Sequence, residues 1–201
     1  MKRFGGLFEQ IVSLDNLSAA FDRAARGKHN RVSVRKACAR KDQLLRDLRE
    51  QLLAGTYKVS PYEVRVIREP KVREIHILPF FPDRVVQHAI MRVIEPIWDN
   101  HMAPQSYSCR VGKGQHRASA KAFAYVRRYK YVLQCDISKF YPSLNHDILK
   151  QVIRKKLKDR RLLALLDRVI DSDYGECGVP IGSLLSQWFG NLYLTGIDRY
   201  V

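Results

Sequence analysis

The residue pattern predicts an α+β fold, and three observations carry that expectation. Apolar residues recur at helical spacing in several long segments. One pair of Val-, Ile- and Tyr-rich segments, separated by Glu69-Pro70-Lys71, reads as an antiparallel hairpin. A single apolar run at 131–137 then ends in a carboxylate. Helices and strands alternate with hairpins among them, which fits an α+β mixture better than a doubly wound sheet.

In chain order, residues 7–26 and 31–54 are predicted as helices. The second places Leu44, Leu45, Leu48, Leu52 and Leu53 on one face and stops at Gly55. Residues 57–68 and 72–78 alternate apolar and charged side chains and form the two arms of the hairpin. A strong helix is expected over 82–98, where Val85, Val86, Ala89, Ile90, Val93, Ile94 and Ile97 keep a helical step. Helices are also expected at 115–128, 145–157 and 160–171, with a buried strand at 131–137. A polar loop containing Gly175 and Gly178 leads to a last helix from about Ser183. There is no internal repeat, low-complexity tract or Pro/Ser-rich linker.

The 201 residues, 46% of them hydrophobic, suffice for one large domain or two small ones. Thirty-six Lys and Arg against 20 Asp and Glu give a net charge of +16, which favours a polyanionic partner. The basic residues fall in several segments, 31–41, 127–130 and 154–161, as suits a broad groove better than a basic tail. No charged-then-apolar leader and no run of about 18 apolar residues is found, so no membrane partner is expected. Cys38, Cys109, Cys135 and Cys177 are widely spaced, with no C-x-x-C pair, and are expected as free thiols in a reducing cytoplasm.

The most chemistry lies in Val132-Leu133-Gln134-Cys135-Asp136-Ile137-Ser138-Lys139-Phe140-Tyr141. An acid at the end of a core strand is unfavourable unless a cation meets it, and a divalent ion is a good candidate. Nucleotidyl transfer uses such acids to hold two Mg²⁺ ions about 4 Å apart. A strand-end Asp that caps a turn, with Tyr141 as a core aromatic, is the plainer alternative. A second candidate is the turn Gly178-Val179-Pro180-Ile181-Gly182-Ser183, whose glycines permit close approach and whose serine suits a helix cap. Polar Ser186, Gln187 and Asn191 in the apolar helix after it are harder to ascribe to packing. Arg65, Arg68, Lys71 and Arg73 cluster on the hairpin, where they either grip a triphosphate or form a solvated face. Gly112-Lys113-Gly114 lacks the spacing and the Ser/Thr of a P-loop.

Taken together, residues 40–201 resemble the reverse transcriptases, in the prokaryotic branch that includes group II intron, retron and diversity-generating-retroelement enzymes. The segment from Ile77 to Ala89, containing Asp83-Arg84-Val85-Val86-Gln87-His88-Ala89, is similar to the fingers motif "DR-V/I-VQ-A". Glu95-Pro96-Ile97-Trp98 and the run from Ser106 to Ala118 continue it. Asp136 to Tyr141 and Gly178 to Tyr193 match the first two palm motifs.

The resemblance implies an N-terminal helical segment (1–56), fingers (57–129) and a partial palm (130–201) of a right-hand polymerase. The intact enzyme would extend a DNA or RNA primer on an RNA template, with dNTPs and two Mg²⁺ ions, in a prokaryotic cytoplasm. Asp136 is implied as the catalytic acid and metal ligand, with the carbonyl of Ile137 on one ion. Arg68, Lys71 and Arg73 would hold the triphosphate, Tyr141 would exclude a ribose 2′-hydroxyl, and Ile181, Gly182 and Gln187 would line the nucleotide pocket. Arg84, Arg110, Lys113 and Arg117 would meet nucleic acid.

Two departures from the family pattern stand out. Ile181 replaces the usual Gln of G-x-P-Q-G, which is similar to the diversity-generating-retroelement enzymes and implies an accessory protein of the retroelement as a partner. The Ser108-Cys109-Arg110 to His116 run leans the same way. No Tyr-x-Asp-Asp motif, the source of the remaining acids, and no thumb is found. The expectation is therefore an inactive part of a reverse transcriptase. A group II intron or retron-type enzyme and a non-catalytic nucleic-acid-binding remnant are the alternatives.

Overall fold

The computed structural model describes residues 2–173 and 175–200. The two helices predicted at the N-terminal end are each divided. Ser13 adopts an extended backbone and its hydroxyl accepts the Asn16 N–H, so α1 (Phe8–Ile11) ends and α2 (Leu14–Ala25) begins afresh. A non-helical Arg40, φ −124° and ψ 20°, separates α3 (Val32–Cys38) from α4 (Lys41–Ala54). Helix α4 stops where expected: Gly55 takes φ 70°, and its N–H caps the Leu52 carbonyl.

The hairpin is shorter than predicted. β1 (Glu63–Ile67) pairs antiparallel with β2 (Arg73–Ile77), from Glu63 opposite Ile77 to Ile67 opposite Arg73. Residues 57–62 leave the ladder because Tyr57 turns inward, its hydroxyl donating to Asp83 at 2.7 Å. Asp83 is fully buried and also accepts the Ser60 N–H, so it fixes the approach to the hairpin. A kinked turn, Phe80–Arg84, leads into α5 (Val85–Asp99), whose Val85, Val86, Ala89, Ile90, Ile94 and Trp98 are buried. α6 (Gln115–Arg128) has the predicted extent yet buries none of its residues.

The predicted buried strand at 131–137 does not form. The segment is extended coil, with Tyr131, Val132 and Leu133 largely in solvent. The reason is topological: the hairpin is the whole of the sheet among the described residues, so no ladder lies beside this segment. A 3₁₀ turn (Tyr141–Ser143) follows, then α7 (His146–Arg154), α8 (Arg160–Ile170) and α9 (Leu184–Tyr200). Asn145 and Asp159 cap α7 and α8 by accepting the N–H groups of Ile148 and Leu162.

One hydrophobic core joins the ends of the chain. α2 and α9 both pack on α5, and α7 packs on α9. Phe4 bridges to Leu157, and Asp159 accepts the N–H groups of Leu7 and Phe8 at 2.8 and 3.0 Å. Burial opposes the charge on Asp159, but those backbone donors outweigh it and hold the carboxyl below its usual range. The four cysteines are free and exposed. Among the described residues no helix is long and apolar enough to cross a membrane.

Candidate nucleotide and nucleic-acid site

The site is organised by the turn before α9. Gly182 has φ +106°, and a β-carbon there would lie 2.9 Å from Ile75 Cγ2. Only glycine lets the turn approach β2 so closely. The contact is completed by the His76 N–H, which donates to the Ile181 carbonyl at 3.0 Å. From the other side comes Gln87 of α5, only 3% exposed. Its Oε1 accepts from both the Ser183 hydroxyl and the Leu184 N–H, each at 3.1 Å. The cap of α9 is thus supplied across the fold by Gln87, and Ser183 donates to that cap rather than acting as one.

Hairpin, turn and α5 enclose a cleft of about 200 Å³ lined by Arg84, Gln87, His88, Gly182, Ser183 and Gln187 among others. Of the residues predicted from sequence, Arg84, Gly182 and Gln187 therefore converge, with Ile181 beside them. Arg84 donates to the Leu78 carbonyl, and burial, then Arg31, lowers its pKa. His88 is pushed down to about 4, chiefly by burial and then by Arg23, Lys28 and Arg84. Arg68, Lys71 and Arg73 lie at the exposed far end of the hairpin, and no ion pair joins them to the described residues. Arg65 instead pairs with Glu63 on its own strand at 2.8 Å.

The base of the hairpin is locked to the loop before the turn. His76 Nδ1 faces Asp173 Oδ2 at 2.5 Å, with both side chains mostly buried. Burial raises the Asp173 carboxyl, and His76 partly offsets that effect. Alongside, the Tyr62 hydroxyl meets Ser172 Oγ at 2.9 Å, and burial drives that phenol up to about 12. His146 pins the same loop further along, through Asp171 at 3.1 Å and the Gly178 carbonyl at 2.6 Å.

Tyr141 opens the 3₁₀ turn and is half-buried, its ring set edge-on to Phe140 at 5.4 Å. Both rings lie over Gly190 of α9, where a β-carbon would come within 3.0 Å of Phe140 and 3.5 Å of Tyr141. Burial raises the Tyr141 phenol. Its carbonyl accepts the Val179 N–H at 3.0 Å, tying Tyr141 to the turn that carries Gly182.

Asp136 and Ile137 sit on the exposed 131–137 segment. Among the described residues no group of three or more His, Cys, Asp or Glu side chains gathers as for a metal ion. One carboxylate and one carbonyl fall short of the six oxygen ligands that Mg²⁺ prefers, so these residues do not by themselves make a two-ion centre.

Arg110 departs from its expected role on nucleic acid. Its guanidinium is buried and bonded to Asp99 Oδ1 at 2.6 Å and to the carbonyls of Ala103, Ser106 and Asp99. It shapes its own loop. Lys113 bonds the Pro104 carbonyl and lies 5.0 Å over the Tyr107 ring, while Arg117 is exposed on α6. The polar residues of α9 hold this loop: Asn191 donates to the Ser108 carbonyl at 2.7 Å, and Gln187 accepts from Cys109 Sγ at 3.3 Å.

Gln87 and His88 fall within the fingers motif but were given no site role, and His76 was given none either. A glutamine on the apolar face beside Val86 and Ala89 was the available signal for the first. His76 and His88 carried none.

No family model matches the chain. Among curated proteins it is 28% identical over 174 residues to "Protein YkfC" of Escherichia coli (strain K12), covering 78% of this chain and 45% of YkfC. It is 23% identical over 170 residues to the group II intron-encoded protein LtrA of Lactococcus lactis subsp. cremoris, covering 80% of this chain and 28% of LtrA. Nuclear intron maturase 4 of Arabidopsis thaliana mitochondria is 24% identical over 207 residues, covering 98% and 25%. A chain of the partial Cas6-RT-Cas1–Cas2 complex shares the fold, with a TM-score of 0.59 at 22% identity over 96% of this chain and 34% of that one. The chain is a relative of the reverse transcriptases. Its mixed architecture of helices and one small hairpin is the fingers-and-palm fold of those enzymes. It spans less than half the length of each relative named.

Proposed function

We propose that this chain is the nucleotide-gripping part of an RNA-directed DNA polymerase, which extends a primer 3′-hydroxyl with dNTPs on an RNA template. One observation carries the reading: the basic hairpin, the Gly178–Ser183 turn and Tyr141 are bonded to one another through His76–Ile181 and Tyr141–Val179. Triphosphate cations, pocket glycine and sugar gate are thereby held in one frame.

In this reading Arg68, Lys71 and Arg73 grip the triphosphate, and Tyr141 fills the space of a 2′-hydroxyl. Ile181, Gly182 and Gln187 bound the nucleotide, while Arg84, Lys113 and Arg117 face nucleic acid. Two Mg²⁺ ions would activate the 3′-hydroxyl and neutralise the departing pyrophosphate. Asp136 and the Ile137 carbonyl would contribute ligands beside acids that this sequence does not supply as Tyr-x-Asp-Asp.

The diversity-generating subclass, with its accessory protein, is supported by Ile181 and by the Ser108 to His116 run. The group II intron type is the second reading, favoured by the intron-encoded relatives. The test is primer extension on an RNA template by a full-length polypeptide containing these residues, with Asp136→Asn as its partner. The expected result is product from the first and none from the second, at equal RNA binding. Product from both would overturn the assignment of Asp136.

A further inference from the structure

Arg84 is bonded more sparsely than three other guanidiniums of this protein, Arg110, Arg161 and Arg168. Arg110 is bonded to Asp99 and three carbonyls, Arg161 to Glu9 and the Leu53 carbonyl, and Arg168 to the carbonyls of Gly55 and Tyr57. Arg84 is half-buried in the cleft wall, and among the described residues its one hydrogen bond runs from Nε to the Leu78 carbonyl at 3.3 Å. The rest of its donor fork is unused. The neighbouring Asp83 gives no relief, because its carboxylate faces Tyr57 and Ser60.

Further basic residues and a neutral imidazole surround this position. His88 lines the same cleft, with its Nδ1 buried and unpartnered among the described residues. A tight turn, closed by the Arg31 N–H on the Lys28 carbonyl at 3.0 Å, carries Lys28, whose Nζ donates to the Ala24 carbonyl at 3.0 Å, and the exposed Arg31; α3, which begins just after Arg31, packs on the Phe80–Arg84 turn. Burial, then Arg84 and Arg31, depresses Lys28, and all the charges acting on Lys28, Arg84 and His88 are positive. A half-buried guanidinium with unused donors and positive neighbours is unfavourable, and an anion with several acceptor oxygens relieves it through charge-assisted bonds. The cleft, about 200 Å³, is smaller than the roughly 300 Å³ at which small-molecule pockets begin. That size admits a phosphate group beside Arg84 and His88.

We infer that Arg84, Arg31 and Lys28, with His88 at the floor, form a seat for one backbone phosphate of a nucleic-acid strand. The inference rests on the nucleic-acid reading above and adds Lys28, Arg31 and His88 to it. The test is fluorescence anisotropy of a labelled single-stranded RNA oligonucleotide with the 201-residue chain, over a series of salt concentrations. The seat is removed with Lys28→Ala/Arg31→Ala and, separately, with Arg84→Gln. Arg46→Ala/Arg160→Ala removes the same charge from exposed positions elsewhere.

Each seat variant is expected to weaken binding about tenfold and to reduce the slope of log K against log salt by about 0.7, one phosphate's worth. The control pair should keep the wild-type slope. Seat variants that match the control overturn the seat while leaving the nucleic-acid reading intact. A wild-type chain that binds no RNA overturns both. If the variants lose only competition by inorganic tripolyphosphate and keep their RNA affinity, the site takes nucleotide phosphates and the strand-phosphate assignment is wrong.

Discussion

The side chain of Gln87 caps α9 by accepting from Ser183 Oγ and Leu184 N, 96 and 97 residues further along the chain. All three groups lie at the junction of α5 with the turn that carries Gly182. Gln87→Ala strips two donors of their acceptor, one of them the buried Ser183 hydroxyl, so a loss of about 1–3 kcal/mol is expected. Gln87→Glu keeps the acceptor oxygens and should lose less. Urea denaturation of the three proteins compares them, and equal midpoints would refute the cap.

Arg110 supports its own loop through four hydrogen bonds. Arg110→Ala is therefore expected to destabilise the chain by about 1.5–3 kcal/mol, the range for hydrogen bonds to a charged group. Amide exchange should rise in residues 103–114, with RNA affinity changing little beyond the loss of one charge. A variant with intact stability and much weaker RNA binding would return Arg110 to the nucleic-acid surface.

His88 links stability to pH. Above about pH 6.5 it is neutral in both the folded and the unfolded chain and contributes nothing. As pH falls from 6.5 towards 4, the unfolded chain takes up a proton that the folded site refuses, so stability declines. Replacing His88→Gln should flatten that part of the curve. The urea midpoint at several pH values, wild type against variant, reads the effect directly, and parallel curves would contradict it.

Primer extension by the chain alone should give no product with primed RNA, dNTPs and Mg²⁺, because no group of three or more His, Cys, Asp or Glu side chains gathers to hold a metal ion among the described residues. Product from the purified chain would refute this account of the metal site.

Ile181 offers a test of fidelity. Its carbonyl, not its side chain, holds His76, so Ile181→Gln leaves the frame of the turn in place. A glutamine could hydrogen-bond near the template–nucleotide pair, and such a bond contributes about 0.5–1.5 kcal/mol, up to roughly tenfold in selectivity. In an active full-length enzyme the substitution is expected to lower misincorporation, most of all opposite template adenines. Sequenced cDNA from both versions decides it, and equal error rates at equal yield would retire the idea.

Much of the helical framework was legible because it depends on local signals. Asn145 and Asp159 cap where polar residues precede apolar periodicity, and Gly55 stops α4 as a left-handed glycine does. The breaks at Ser13 and Arg40 were not, since apolar spacing continues on either side of them. Burial of 131–137 was misjudged for a different reason: an apolar run becomes a strand only beside a partner, and composition does not report partners. The site divides in the same way. Arg84, Gly182 and Gln187 followed from motif resemblance and do share a cleft. The roles of Gln87 and Arg110 depend on which atoms meet after folding, over separations that a linear pattern does not encode.

The clasp between Asp159 and the amides of Leu7 and Phe8 spans about 152 positions. On a ribosome adding about 5–20 residues per second, the first helix waits roughly 8 to 30 s for its anchor to be synthesised. Until then Phe8, Ile11 and Leu17 lack part of the core that buries them. The nascent chain is thus exposed to chaperones and proteases until α8 has been made, and shortening it before α8 would leave its beginning without a dock.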